Sequence, residues 1–85
     1  MRYEVLWGPV AVQQLAAIWL AAADRNAVTA AADWLDRWLA RIPLQLGEPR
    51  TSSVHRVAYR DPIGVEYEVI EDDKRVIVQG VFLAP

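Results

Sequence analysis

The chain contains no cysteine, so neither a disulfide nor a thiolate metal site can staple it, and packed side chains alone must hold its core. That absence fits a reducing compartment. His55 is the only histidine, which removes a multi-histidine metal centre; no metal and no cofactor is expected. No apolar run approaches the roughly 20 residues that a bilayer requires. The opening Met1-Arg2-Tyr3-Glu4-Val5 lacks the apolar segment of a signal peptide, so the expectation is a cytoplasmic protein without a membrane partner. An excess of positive charge is missing as well. The formal charge is −2 and the pI about 5.2, which argues against a globally basic nucleic-acid binder and makes any polyanion site a local one. Nor is there a P-loop, a dinucleotide-binding glycine fingerprint, a catalytic-triad motif or a nucleophile elbow, and the common metabolic enzyme classes lose their support.

What remains is 85 residues, 54% of them hydrophobic, enough for one domain spanning residues 1–85 and close to the lower limit for a self-sufficient core. Residues 2–7 alternate, with Tyr3, Val5 and Trp7 on one face, and Gly8-Pro9 ends that strand. From Pro9 the positions Ala11, Leu15, Ile18, Trp19 and Ala22 form one sticky face of a helix. Asp24-Arg25-Asn26 then turns the chain, Asp24 or Asn26 capping a second helix. Its stripe runs through Val28, Ala31, Leu35, Trp38, Leu39 and Ile42 until Pro43 stops it. Asp33 and Arg37 have the spacing of a helix ion pair. Residues 43–53 lose all period and read as a loop, long enough to suggest function.

Val54–Arg60, Val65–Ile70 and Arg75–Leu83 read as strands joined at Asp61-Pro62-Ile63-Gly64 and at Asp72-Asp73. With the simplest turns Val57 opposes Tyr67 and Tyr67 opposes Val78, an apolar face for the helices to cover. His55, Val57 and Tyr59 then point toward the helices, and Arg56, Ala58, Glu66, Glu68, Ile77 and Gln79 point away. The order β-α-α-β-β-β predicts an α+β fold: a two-helix hairpin packed on one face of a four-stranded, mostly antiparallel sheet.

Eight of the nine cations are arginine, and residues 41–60 carry Arg41, Arg50, Arg56 and Arg60 against Glu48 alone. Guanidinium forks suit phosphate, so Arg50, Arg56 and Arg60 are candidate RNA or phosphate ligands. Ion pairing is the competing reading, Glu68 falling opposite Arg56 in the proposed register. His55 reads either as a general acid or base or as a hydrogen-bonded sheet residue. Glu66 and Glu68, pointing outward together, read either as a base or as solvated strand carboxylates. Trp7, Trp19 and Trp38 are assigned to the core. Trp34 falls on the flank of its helix, where it marks a partner-binding patch or is shielded by arginine.

Several stretches carry a family resemblance. They are Tyr3-Glu4-Val5-Leu6-Trp7 before a helix, Asp24-Arg25, and Ala31-Ala32-Asp33-Trp34-Leu35-Asp36 with Leu39. Next come Pro43 with Leu46-Gly47-Glu48-Pro49-Arg50, then Arg56 and Pro62-Ile63-Gly64-Val65-Glu66-Tyr67-Glu68-Val69, and last Asp72-Asp73-Lys74-Arg75-Val76-Ile77-Val78. In order and spacing the chain resembles the RelE/ParE superfamily of bacterial toxins from type II toxin–antitoxin (plasmid stabilisation) modules. The resemblance implies a small α+β toxin fold and an antitoxin peptide, encoded by an adjacent gene, that wraps and neutralises it. It also implies one of two targets, the translating ribosome with its mRNA or gyrase. Arg50 and Arg56 match basic positions of the pattern. The mRNA-cleaving branch has an arginine where this chain has Gly64 or Val65, and His, Arg or Tyr where it has Val81-Phe82-Leu83-Ala84-Pro85. On the first reading Arg50, Arg56 and Arg60 bind RNA while Arg56, Glu66 and His55 form the catalytic set of a ribosome-dependent mRNA interferase. The alternative is a non-catalytic binder, either a gyrase-inhibiting toxin or an inactive homologue that keeps its antitoxin contact.

Overall fold

Why β1 (Glu4–Trp7) is followed at once by α1 (Pro9–Ala21) is plain from Gly8-Pro9: proline has no N–H to donate and its fixed φ suits a first helical turn. Residues 2–85 are described by the computed structural model. Asp24 caps α2 (Arg25–Leu39) by accepting from the Ala27 N–H at 3.1 Å. Arg25 reaches back to the other helix and donates to the carbonyls of Trp19 and Leu20 at 3.1 and 3.0 Å, adding side-chain donors at the end of α1, where Trp19 also accepts from the Ala22 N–H. One residue pair thus closes one helix and starts the next.

Pro43 ends α2 earlier than the apolar stripe suggests, at Leu39, and itself opens a short α3 (Pro43–Leu46). Two residues later comes β2 (Glu48–Pro49), then β3 (His55–Arg60), β4 (Ile63–Ile70) and β5 (Arg75–Leu83). The sheet therefore has five strands rather than four, in the order β1-β5-β4-β3-β2. Only β1 and β5 run parallel; the other neighbours are antiparallel. The extra strand lies inside the segment expected to be a loop, because Glu48 and Pro49 pair with Val57 and Arg56. That pairing is tertiary and leaves no local period to read.

The α+β layering holds. Val28, Ala31, Leu35 and Leu39 of α2 are buried against Ile63, Val65, Tyr67, Val69, Val76 and Val78 of the sheet. From α1 only Ala11 is fully buried, with Leu15 and Ile18 packed against that core in part. Trp19, expected inside, is 38% exposed, and none of the four tryptophans is fully buried. Their indole N–H groups explain part of this: Trp7 donates to Asp36 at 2.8 Å and Trp19 to Thr29 at 3.2 Å, so each ring sits with its polar edge toward water. Asp33 and Arg37 form no ion pair within 4.0 Å.

The β3–β4 turn corrects the register. Ile63 and Gly64 belong to β4, so Asp61-Pro62 alone makes the turn, and Tyr67 faces Arg56 instead of Val57. Tyr67 does face Val78 on the other side. A slip of one residue moves a whole strand's side chains across the sheet. Arg56 and Ala58 therefore lie on the helix side, and His55, Val57 and Tyr59 lie on the outer side with Glu66 and Glu68, the reverse of the expectation for β3.

Candidate outer-face site

The segment between β2 and β3 folds back through short-range bonds that set His55. The Arg50 N–H donates to the His55 carbonyl at 2.7 Å, the His55 N–H donates to Ser52 Oγ at 3.3 Å, and His55 Nδ1 lies 3.0 Å from the same hydroxyl. Across the strand pair, His55 Nε2 is 3.8 Å from Glu68 Oε2, in the place the sequence reading gave to Arg56. Gln79 holds the other oxygen of Glu68 at 3.2 Å. Gln79 can do so because β5 carries one extra residue there: Glu66 faces Gly80 while Tyr67 faces Val78.

Arg50, His55 and Gln79 of this network border a small pocket of about 120 Å³, lined also by Thr51, Arg56, Val57, Glu66 and Tyr67. Four of the five sequence candidates, Arg50, His55, Arg56 and Glu66, meet there. Arg60 does not: it stands at the far end of β3 with its guanidinium 4.5 Å over the ring of Trp34. Arg50 and Glu66 are exposed and His55 is half-buried.

Arg56 has a different character from the other three. It is 8% exposed, and its guanidinium donates to the carbonyl of Ser53 at 3.0 Å and to that of Gly47. Its Nε is buried without a partner. The face it shares with Tyr67 lies under α3, and the Tyr67 hydroxyl donates to the Pro43 carbonyl at 2.7 Å. Burial raises the Tyr67 pKa above the usual phenol value, the nearby Arg56 cation opposing that shift in part. Arg56 and Tyr67 thus tie both ends of the segment from Pro43 to Ser53 to the sheet. The exposed groups of the pocket stand on that tied segment, on β4 and on β5, beside the half-buried His55 of β3.

An exposed cation, an imidazole, a carboxylate and the Thr51 hydroxyl around one cavity form a set able to hold a phosphodiester and move a proton near it. Sequence reasoning missed Ser52 and the contact of Gln79 with Glu68. The pairing of Glu68 with His55 follows only from the correct register, and its contact with Gln79 only from the bulge. Among the described residues no group of three His, Asp or Glu side chains is placed to hold a metal ion, and no helix is long and apolar enough to cross a membrane.

No family model and no curated protein matches the chain. A solved structure does: a chain of the toxin–antitoxin complex RelBE2 from Mycobacterium tuberculosis superposes with a TM-score of 0.80 at 20% identity, covering 99% of this chain and 93% of that one. The α+β fold described above is therefore shared, over almost the whole chain, with a component of a toxin–antitoxin complex.

Proposed function

We propose that the chain is the toxin of a type II toxin–antitoxin module and that it arrests translation by cleaving mRNA on the ribosome. The observation that carries this reading is the convergence of Arg50, His55 and Glu66 on one pocket of a fold shared with a chain of a toxin–antitoxin complex. Cleavage of an RNA strand by its own 2′-hydroxyl needs a base for the attacking oxygen, an acid for the leaving oxygen and a cation for the charge that builds on phosphate. His55 and Glu66 fill the first two roles, and Arg50 fills the third. Arg56, with its donors turned inward, is a positioning residue that keeps the Arg50 segment on the sheet. The partner is an antitoxin peptide that covers the pocket or the helices. The site of action is the cytoplasm.

The second reading, a non-catalytic binder acting on gyrase or retaining only its antitoxin contact, is favoured by one observation. Residues 9–23 contain no charged side chain, yet Val10, Val12 and Leu20 of α1 are 57%, 51% and 63% exposed, a surface suited to docking rather than to chemistry. Expressing the chain with and without the neighbouring open reading frame decides between the two. Growth arrest with codon-phased mRNA cuts, relieved by the neighbour and lost in His55→Ala/Glu66→Gln, supports the nuclease. Arrest with intact mRNA and a DNA-damage response supports the gyrase poison and rejects the nuclease.

A further inference from the structure

The two flanks of α2 differ in charge and company. On the flank toward α1 and β1 stand Thr29, Asp33 and Asp36, two of them occupied by the indole N–H groups of Trp19 and Trp7. On the flank toward β3 stand Trp34, Arg37 and Trp38, with Arg41 just beyond the helix and Arg60 arriving from the end of β3. The guanidinium of Arg60 lies 4.5 Å from the centre of the Trp34 ring, Trp34 lies 6.1 Å from Trp38, and Arg41 lies 6.0 Å from the Trp38 ring. The result is a continuous Arg–Trp–Trp–Arg run along one side of the molecule. None of Arg37, Arg41 and Arg60 has a carboxylate within 4.0 Å among the described residues. Beside the run opens a groove of about 390 Å³, its wall formed by Trp34, Arg37 and Arg60, its floor by small side chains such as Ala30, with Asp61 at one side.

We infer that this groove binds single-stranded nucleic acid, at a site separate from the outer-face pocket. A guanidinium held over an indole turns one face to the ring and keeps its N–H edge free, and that edge matches the oxygens of a phosphodiester. The opposite face of the same guanidinium is a plane on which a nucleobase stacks. The alanine floor lets a flat ring approach the helix backbone, and the groove lies within the size range of pockets that hold small molecules. A carboxylate-rich peptide would use the arginine edges and leave the stacking planes idle; a free phosphate would leave the floor idle as well. A duplex has its bases stacked away and offers the backbone alone. Nothing in the groove selects for a 2′-hydroxyl, so RNA and DNA strands share the chemistry that it reads. Asp61 opposes the phosphate and limits the affinity. The inference does not depend on the toxin reading.

The test is fluorescence anisotropy of 5′-labelled ten-nucleotide strands, one RNA and one DNA of the same base order, titrated with the full chain. No ribosome or antitoxin is present, so this result and the growth-arrest result stand or fall separately. Saturable binding of either strand is expected, the better of the two identifying the natural source. The double variant Arg37→Ala/Arg60→Ala should weaken it at least tenfold and reduce the slope of log affinity against log salt by about 1.4, the value for two lost phosphate contacts on a single strand. Arg60→Lys keeps the charge but loses the stacked plane, and should fall between. Asp61→Asn should tighten binding, and Arg75→Ala, on the opposite side of the sheet, should leave it unchanged. Circular-dichroism melting confirms that each variant is folded. Wild-type affinity in the folded double variant, an equal preference for a duplex of the same length, or equally tight binding of an octaglutamate peptide would each overturn the proposal.

Discussion

Arg56 donates to the carbonyl oxygen of Gly47, nine residues earlier in the chain, and so fastens the segment between α3 and β3 to the sheet from beneath. The bond exists because Arg56 occupies the helix side of β3, opposite Tyr67. A cation that leaves water needs partners, and the two carbonyls of Gly47 and Ser53 supply them. Replacing Arg56 by alanine removes both charge-assisted bonds and leaves carbonyls without donors at a site that is 8% exposed. The expected loss is about 2–3 kcal/mol in urea unfolding, with Arg56→Lys intermediate because an ammonium is a point donor without the planar fork. Unchanged stability in Arg56→Ala would contradict the positioning role proposed for it.

Gly47 is the other half of that fastening. Its backbone is extended, φ −112° and ψ −168°, so conformation alone does not demand glycine. Space does: a methyl group there would be driven into the Val57 carbonyl oxygen and would lie 2.8 Å from the Tyr67 hydroxyl. Gly47→Ala must therefore push α3 away from β3, at an expected cost of about 1–3 kcal/mol. Amide hydrogen exchange should show faster opening of residues 47–57 than of α2 in this variant. Unchanged protection across that segment would mean the strand pair tolerates the methyl.

How far the sequence could be read depended on whether each signal was local. The alternation of Tyr3, Val5 and Trp7, the break at Gly8-Pro9, a cap at Asp24 and the Val28, Ala31, Leu35 and Leu39 part of the α2 stripe are contained in a few residues each and hold, whereas Trp38 of that stripe is half-buried and Ile42 lies beyond the helix. The β3–β4 turn was misjudged because Gly64 looks like a turn residue. It is a strand residue that makes room on the outer face, where the Tyr59 and Phe82 rings meet edge to face at 5.8 Å; a Cβ on Gly64 would come within 2.6 Å of Phe82. That single misreading reversed the faces of Arg56 and His55. The grouping of Arg50, His55, Arg56 and Glu66 survived it, since all four flank one end of the β3–β4 pair whichever way their side chains turn. That Glu68 faces His55 and not Arg56 could not be assigned before the register was known.

Asp24 and Arg25 should show how much the helix hairpin depends on its junction. Asp24 supplies a side-chain acceptor to the first turn of α2, and Asp24→Ala is expected to cost about 1 kcal/mol. Arg25→Ala strips two donors from the end of α1 and the guanidinium from over Trp19, at 4.6 Å from its ring centre. Because both changes act on the same short turn, their effects should add imperfectly. A double-mutant cycle by thermal unfolding should give an interaction of about 0.5 kcal/mol or more, whereas strict additivity would show that the two helices are closed independently.

Tyr67 ties stability to alkaline pH. Its hydroxyl is buried and donates to the Pro43 carbonyl, and burial holds its pKa above the ordinary 10.0. A raised pKa means that the folded state holds the proton more tightly than the unfolded chain, so the contribution is complete below pH 10 and is lost as pH rises through the folded value. Tyr67→Phe removes the bond and the titration together. Near pH 7 it should be less stable than the parent by about 1–2 kcal/mol, the cost of an orphaned buried carbonyl. Above pH 10 the parent alone begins to pay for an ionised Tyr67, so the gap between the two proteins should narrow. Tyr3 also titrates above its ordinary value, through its hydrogen bond to Glu71, but it is common to both proteins and cancels in the difference. Chemical denaturation of the pair from pH 7 to pH 11 measures the gap directly, and a gap that stays constant across pH 10 would show that the Tyr67 proton is no better held in the fold than out of it.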